Sequence, residues 1–286
     1  MKKIFLCFFF IFLGISYGQT RCQLPTIPKN PNAEQIMKVW FDLKYKRFAH
    51  DYNLSGEVVM IDKTGFKRRK RYIRKRILLH GKGGIDYKDL VSVTYPEYTK
   101  GLAVLTWAYT NPKKQHDIWI WLPSFKKIRK VSQAEEDDSF MGTEYTIEEI
   151  STRRFGYENY KLLGEEAFSG YKAIYTNEVY YKGLPCYKIE ATPKRKHWYY
   201  SKRIVWLDKK TGFAIFDEYY NPRGRVFKTL FRHFRIFKDG CLSDDLWEIK
   251  NLRTGHSDIV LFKDIGFNKG IDERLFTEKT LERMPW

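Results

Sequence analysis

Cysteine is scarce, with four in 286 residues. No two stand in the C-x-x-C spacing that a zinc knuckle or a dithiol redox site needs. The six histidines, His50, His80, His116, His197, His233 and His256, lack the i, i+4 pairing that puts two imidazoles on one helix face. The sequence therefore predicts no metal site and no cofactor. A Gly-x-Ser-x-Gly elbow is missing, and the glycine-rich stretch His80-Gly-Lys-Gly-Gly84 reads as a turn rather than an oxyanion loop. The carboxylate pairs Glu135-Glu136, Asp137-Asp138, Glu148-Glu149 and Glu165-Glu166 are chain neighbours, and strand neighbours point to opposite faces, so they are not placed to share a proton. No catalytic residue emerges, and the expectation is a protein that is not an enzyme. A competing reading is a lipid hydrolase built on an unrecognised Ser or His. Only one stretch approaches the apolar run of a membrane span, which excludes a polytopic helical membrane protein.

Acidic residues are also short, 34 Asp+Glu against 52 Lys+Arg, for a formal net charge of +18. Aromatic residues are not. They make up 17% of the chain, more than a disordered sequence carries, so a globular fold is expected. The one apolar run, residues 4–15, is about twelve residues long against the ~20 a bilayer span needs, and it follows Lys2 and Lys3. Ser16-Tyr17-Gly18 puts small residues ahead of a cut before Gln19. Residues 1–18 thus read as a cleaved signal peptide and 19–286 as a single domain exported to the periplasm of a Gram-negative envelope, with a charge of about +16. Cys22, Cys186 and Cys241 then remain, an odd count that allows one internal disulfide and one spare thiol.

After Pro25, Pro28 and Pro31, Asn32 and Gln35 have the spacing of a reciprocal helix cap, and Ile36, Met37, Trp40 and Phe41 or Leu43 recur at helical period. One amphipathic helix is expected over 33–49. From Leu54 the helical period is lost and hairpin turns take over: Asp62-Lys-Thr-Gly65, Asp208-Lys-Lys-Thr-Gly212, Asn221-Pro-Arg-Gly224 and Lys238-Asp-Gly240. Strands are expected at 58–61, 103–109, 118–122, 179–181, 204–207 and 213–220. Helix does not alternate with strand, so the sheet should be an antiparallel meander. Residues 132–151 interrupt it, with an acidic run, then Phe140-Met141-Gly142, then a short helical stretch at 145–150. Such a break marks a loop crossing the mouth of a sheet.

Basic residues cluster in Lys67-Arg-Arg-Lys-Arg71, Arg74-Lys-Arg76 and Lys194-Arg195-Lys196-His197-Trp198. Inside a cell such runs point first to nucleic acid. Export redirects them to anionic membrane surfaces, so no nucleic-acid partner is expected. The run Ile118-Trp119-Ile120-Trp121-Leu122 is apolar on both strand faces, where a sheet with one wet face would alternate with polar residues. A curved antiparallel sheet around a hydrophobic hollow satisfies this, and so does a sandwich with two buried faces.

Several blocks in order look familiar. Trp121-Leu-Pro-Ser-Phe-Lys-Lys-Ile-Arg-Lys-Val131 and Asp138-Ser-Phe-Met-Gly-Thr-Glu-Tyr-Thr-Ile-Glu-Glu149, then Ser201-Lys-Arg-Ile-Val-Trp-Leu-Asp208, Trp247-Glu-Ile-Lys-Asn251, His256-Ser257 and Phe267-Asn-Lys-Gly-Ile-Asp272 with Phe276-Thr277, resemble the LolA-like outer-membrane lipoprotein-sorting family over most of the chain. The resemblance implies a mainly β fold: an incomplete antiparallel β-barrel enclosing an apolar cavity, with an N-terminal helix and short helical lid segments. It implies a periplasmic carrier or chaperone for a lipid or the acyl chains of a lipidated protein, delivering to the outer membrane. The alternative it implies is an accessory subunit of an envelope transporter of the resistance-nodulation-division type. On that scaffold Trp107, Trp119, Trp121, Trp206, Phe140 and Met141 are expected to line the cavity, with helix 33–49 as its lid.

Overall fold

The structure is a computed structural model that describes Cys22 and residues 24–45, 49–131, 136–237 and 240–283. The expected signal peptide and the first two residues of the Lys238-Asp-Gly240 turn lie outside the described residues. The reciprocal cap forms as its spacing requires. Asn32 Oδ1 accepts from Gln35 N and Gln35 Oε1 accepts from Asn32 N, each at 2.9 Å. They start helix α1 (Ala33–Tyr45), whose buried stripe is Ile36, Met37, Trp40 and Leu43.

The rest is almost entirely strand: β1 (Asp51–Ile61), β2 (Lys67–Leu78), β3 (Ile85–Tyr95), β4 (Ala103–Tyr109), β5 (Asp117–Leu122), β6 (Lys127–Lys130), β7 (Glu158–Ala167), β8 (Tyr171–Lys172), β9 (Val179–Tyr180), β10 (Pro185–Pro193), β11 (Lys202–Asp208), β12 (Ala214–Tyr220), β13 (Val226–Ile236), β14 (Leu242–Asn251) and β15 (Ser257–Phe267), followed by a short helix α2 (Glu278–Arg283). Thirteen of the strands form one antiparallel sheet in the order β6-β5-β4-β3-β2-β1-β15-β14-β13-β12-β11-β10-β7. The sheet does not close on itself. Its two edges, β6 and β7, are consecutive strands of the large sheet, and residues 136–157 of the connection between them cross the inner face.

Period-two alternation sorts the residues of each strand between two faces. On the inner face Tyr52 and Leu54 of β1, Val205 and Leu207 of β11 and Leu230 of β13 pack around α1. Trp40 meets Phe213 edge to face at 4.8 Å between centroids. The helix therefore fills the β10–β14 half of the barrel as core. On the outer face, α2 with Phe276 covers β2 to β6, and the β8–β9 ribbon covers β12 to β15. A disulfide joins Cys22 to Cys241, tying the segment before α1 to the β13–β14 turn. Cys186 is a buried free thiol.

Candidate functional site

The other half of the inner face, under β1, β2, β3, β14 and β15, is not filled by a helix. An apolar cavity of about 70 Å³ remains there, floored by Tyr72, Val93, Trp247 and Phe262 and roofed by Phe140, Met141 and Tyr145 of the crossing segment. Gly56 makes this floor possible. A Cβ on it would lie 2.3 Å from Tyr72 Cζ, so only a glycine lets the Tyr72 ring lie flat against β1. Beyond Phe140 and Met141 lies a second apolar hollow of about 180 Å³, lined by Val104, Ile118, Ile120 and Ile147. The half-buried Phe140 and Met141 line both spaces.

The roof, or lid, is a small hairpin pinned by a bridge between Ser139 and Thr146 and continued by a wide π-type turn at Glu148–Thr152. Polar groups latch its tip to the sheet. Lys70 donates to the Met141 carbonyl, Asn251 Nδ2 donates to Glu144 Oε2 at 2.7 Å, and Lys228 donates to the Glu144 carbonyl at 3.2 Å. Asp258 accepts from the Glu144 backbone N–H. Burial raises Asp258 to about 6, with the Glu144 carboxylate adding to the rise. Deeper in, Lys228 sits 2.8 Å from Glu149. Burial works against the Glu149 carboxylate, but Lys228 and Arg153 outweigh it and hold it down at about 2.

Ion pairs pave much of the remainder of the inner face. Arg203 bonds Glu158 at 2.7 Å and Asp217 at 2.6 Å, Arg232 reaches the other oxygen of Asp217, and Arg153 pairs with Glu148 at 2.9 Å. Arg74 and Arg76 share Asp89 at 2.7 and 3.1 Å. Two roomier grooves, of about 380 and 390 Å³, carry Arg153, Arg154 and His116 in one and Glu136, Lys194 and Arg195 in the other. Their walls mix charged groups with apolar ones such as Phe41, Tyr87 and Phe155, whereas the hollow under the lid is almost wholly apolar.

Of the six cavity residues expected from sequence, the structure brings Phe140 and Met141 to the cavity and takes the tryptophans elsewhere. Trp107, Trp119 and Trp121 are on the outer face, beneath α2. Trp107 Nε1 donates to the Phe276 carbonyl at 2.9 Å, and Trp107 and Trp119 pack edge to face at 5.4 Å. Their alternation partners, Ile118 and Ile120, are the ones facing inward. Trp206 is also on the outer face, where it meets Phe168 and Phe216. The physical reason is that a distant C-terminal helix and the β8–β9 ribbon cover that face, so bulky rings are buried there as ordinary core. Helix α1, expected as a lid over 33–49, is instead packed in the core, and the crossing segment roofs the cavity. Sequence reasoning did not single out Tyr72 or Tyr145 for the cavity. Tyr72 was hidden inside a basic run, and Tyr145 stood only in the crossing segment.

This architecture, an open antiparallel half-barrel around a helix, has solved counterparts. An outer membrane lipoprotein-sorting protein domain from Vibrio parahaemolyticus superposes with a TM-score of 0.74 at 22% identity, covering 88% of this chain and 98% of that one. A DUF1329 family protein from Desulfovibrio piger gives 0.71 at 21% identity, covering 85% and 98%. A LolA superfamily protein from Nitrosomonas europaea gives 0.61 at 17% identity, covering 87% and 98%. The fold is that of the LolA-like lipoprotein-sorting structures. No curated protein sequence matches the chain. Residues 86–283 match the model of a family described as uncharacterized-protein-like, and the chain belongs to that family.

Proposed function

We propose that the protein is a periplasmic carrier or chaperone that takes an acyl chain of a lipid or lipidated protein beneath its lid and releases it toward the outer membrane. One observation carries this reading: Phe140 and Met141 plug a continuous apolar strip that runs from Tyr72 and Trp247 to Ile118 and Ile120. The two hollows are smaller than the ~300 Å³ of the smallest common ligand sites. A guest therefore enters by displacing those two side chains. The likeness to lipoprotein-sorting structures supports the carrier role, and the Cys22–Cys241 disulfide supports an oxidising compartment such as the periplasm.

The energetics fit a carrier. Burying a ~16-carbon chain from water is worth about 12 kcal/mol at ~0.8 per methylene, which corresponds to nanomolar binding or tighter. Release into water would be slow, whereas exchange with another apolar medium is nearly even. The Tyr145 hydroxyl is buried without a hydrogen-bond partner among the described residues, and as a donor it suits an ester or carboxyl oxygen at the head of such a chain. The test is native mass spectrometry of protein purified from its own envelope, paired with uptake of an environment-sensitive fluorescent fatty acid. A bound lipid mass and saturable uptake are expected. Protein that carries no lipid and takes up no probe ends the proposal.

A further inference from the structure

Antiparallel neighbours turn back at alternating ends of a sheet, so the connections β1–β2 (62–66), β3–β4 (96–102) and β5–β6 (123–126) all lie at one end. The 252–256 turn belongs to the same end, where Gly255 packs on Lys63. Each of the three tips lifts one ring into solvent. Phe66 is 63% exposed, Tyr98 77% and Phe125 71%, the highest values of any large hydrophobic side chain among the described residues. A lone exposed apolar residue needs no explanation; three on successive tips at one end do.

The same tips are basic. Lys63 and Lys67 flank Phe66, Lys126 and Lys127 follow Phe125, and none of these four has a carboxylate within ion-pair distance among the described residues. The local acids are engaged: Asp62 accepts from Thr64 and Phe66, and Glu97 pairs with Lys100 at 3.3 Å. Rings flanked by cations are the chemistry of an interfacial anchor, in which aromatics seat at headgroup depth and ammonium groups meet anionic phosphates. The tip of the lid lies at this end too, where Gly142 and Glu144 stand beside Asp62 and His256.

We propose that this end of the sheet docks onto an anionic phospholipid bilayer, with Phe66, Tyr98 and Phe125 entering the headgroup layer. Phe66 leads. β2 runs beyond the level at which β3 ends, Tyr95 being opposite Arg71 while Lys67 is opposite Ile61. The inference names a partner for the carrier and takes its purpose from that reading, while its support is the rim itself.

The test is flotation of the purified protein with phosphatidylcholine vesicles, with and without phosphatidylglycerol. Binding is expected only with the anionic lipid, weakening as salt is added. Phe66→Ser, Tyr98→Ser and Phe125→Ser combined should lower partitioning at least tenfold, with Phe66→Ser the most damaging single change. Each Lys→Gln at 63, 67, 126 or 127 should lower it by roughly fivefold at low salt. Lys82→Gln and Lys113→Gln, on turns at the opposite end, should leave it unchanged. All these side chains are exposed, so thermal melting confirms an intact fold. Equal flotation with uncharged vesicles, or a triple variant that floats like wild type, overturns docking. So does a protein that takes up the fluorescent fatty acid yet never floats; one that floats without uptake sinks the carrier reading and leaves docking standing.

Discussion

Asp258 on β15 accepts the backbone N–H of Glu144 at the tip of the lid, so two carboxyl groups from opposite sides of the gate meet in one small space. Burial lifts Asp258 from 3.8 to about 6; the Glu144 N–H, His256 and Arg68 pull it down, and the Glu144 carboxylate pushes it up. A group whose pKa is raised on closure stabilises the closed lid fully below its ordinary value and loses that contribution as pH rises through about 6. The lid should therefore loosen between about pH 4 and pH 7, by at most about 100-fold in the closing equilibrium. Fatty-acid uptake rates measured against pH should rise over that window, and Asp258→Asn should flatten the profile.

Phe140→Ala with Met141→Ala should merge the two hollows. Both side chains are half-buried, so the loss of stability is expected to stay within about 2 kcal/mol. Uptake should become faster and admit bulkier acyl probes. Equal uptake by wild type and double variant would remove these residues from the gate.

Trp119→Ala separates core from cavity. Trp119 packs on the outer face under Phe276 and α2, so its truncation should cost about 3–5 kcal/mol in denaturant unfolding. Protein that remains folded should bind the acyl probe as wild type does. Weakened binding at full stability would return this ring to the site.

Arg203→Met leaves Glu158 and Asp217 buried against a lost partner and should cost about 3–5 kcal/mol. Acid should act on the same groups. Burial opposes the Glu158 and Asp89 carboxylates, but Arg203 beside one and Arg74 and Arg76 beside the other hold both at about 2. Their stabilisation is present above the ordinary carboxylate pKa and lost as pH falls toward 2. Unfolding followed by circular dichroism should accordingly show stability declining below about pH 4.5, less steeply in Arg203→Met.

How far the sequence reveals this molecule depends on which residue is considered. The Asn32 and Gln35 cap and the bounds of β4 follow from local chemistry, and both are as the spacing predicts. β2 was not legible as a strand, because Lys67-Arg-Arg-Lys-Arg71 has cations on both faces and no apolar alternation. Its inward Arg76 is buried and Arg74 half-buried, and both are met by Asp89 on the next strand. Alternation does tell that Trp119 and Trp121 share one face and Ile118 and Ile120 the other. It does not tell which is concave, since α2, which decides the matter, comes some 150 residues later in the chain. Phe140 and Met141 were legible because they break the strand pattern.

The stretch between β6 and β7 ties one margin of the curved wall to the other while also forming its cover. Door and hoop are the same length of polypeptide. On the proposed carrier reading, a guest that lifts the door pulls on both margins at once, so the span of that tether, more than the stiffness of the wall, limits how large a guest can be held.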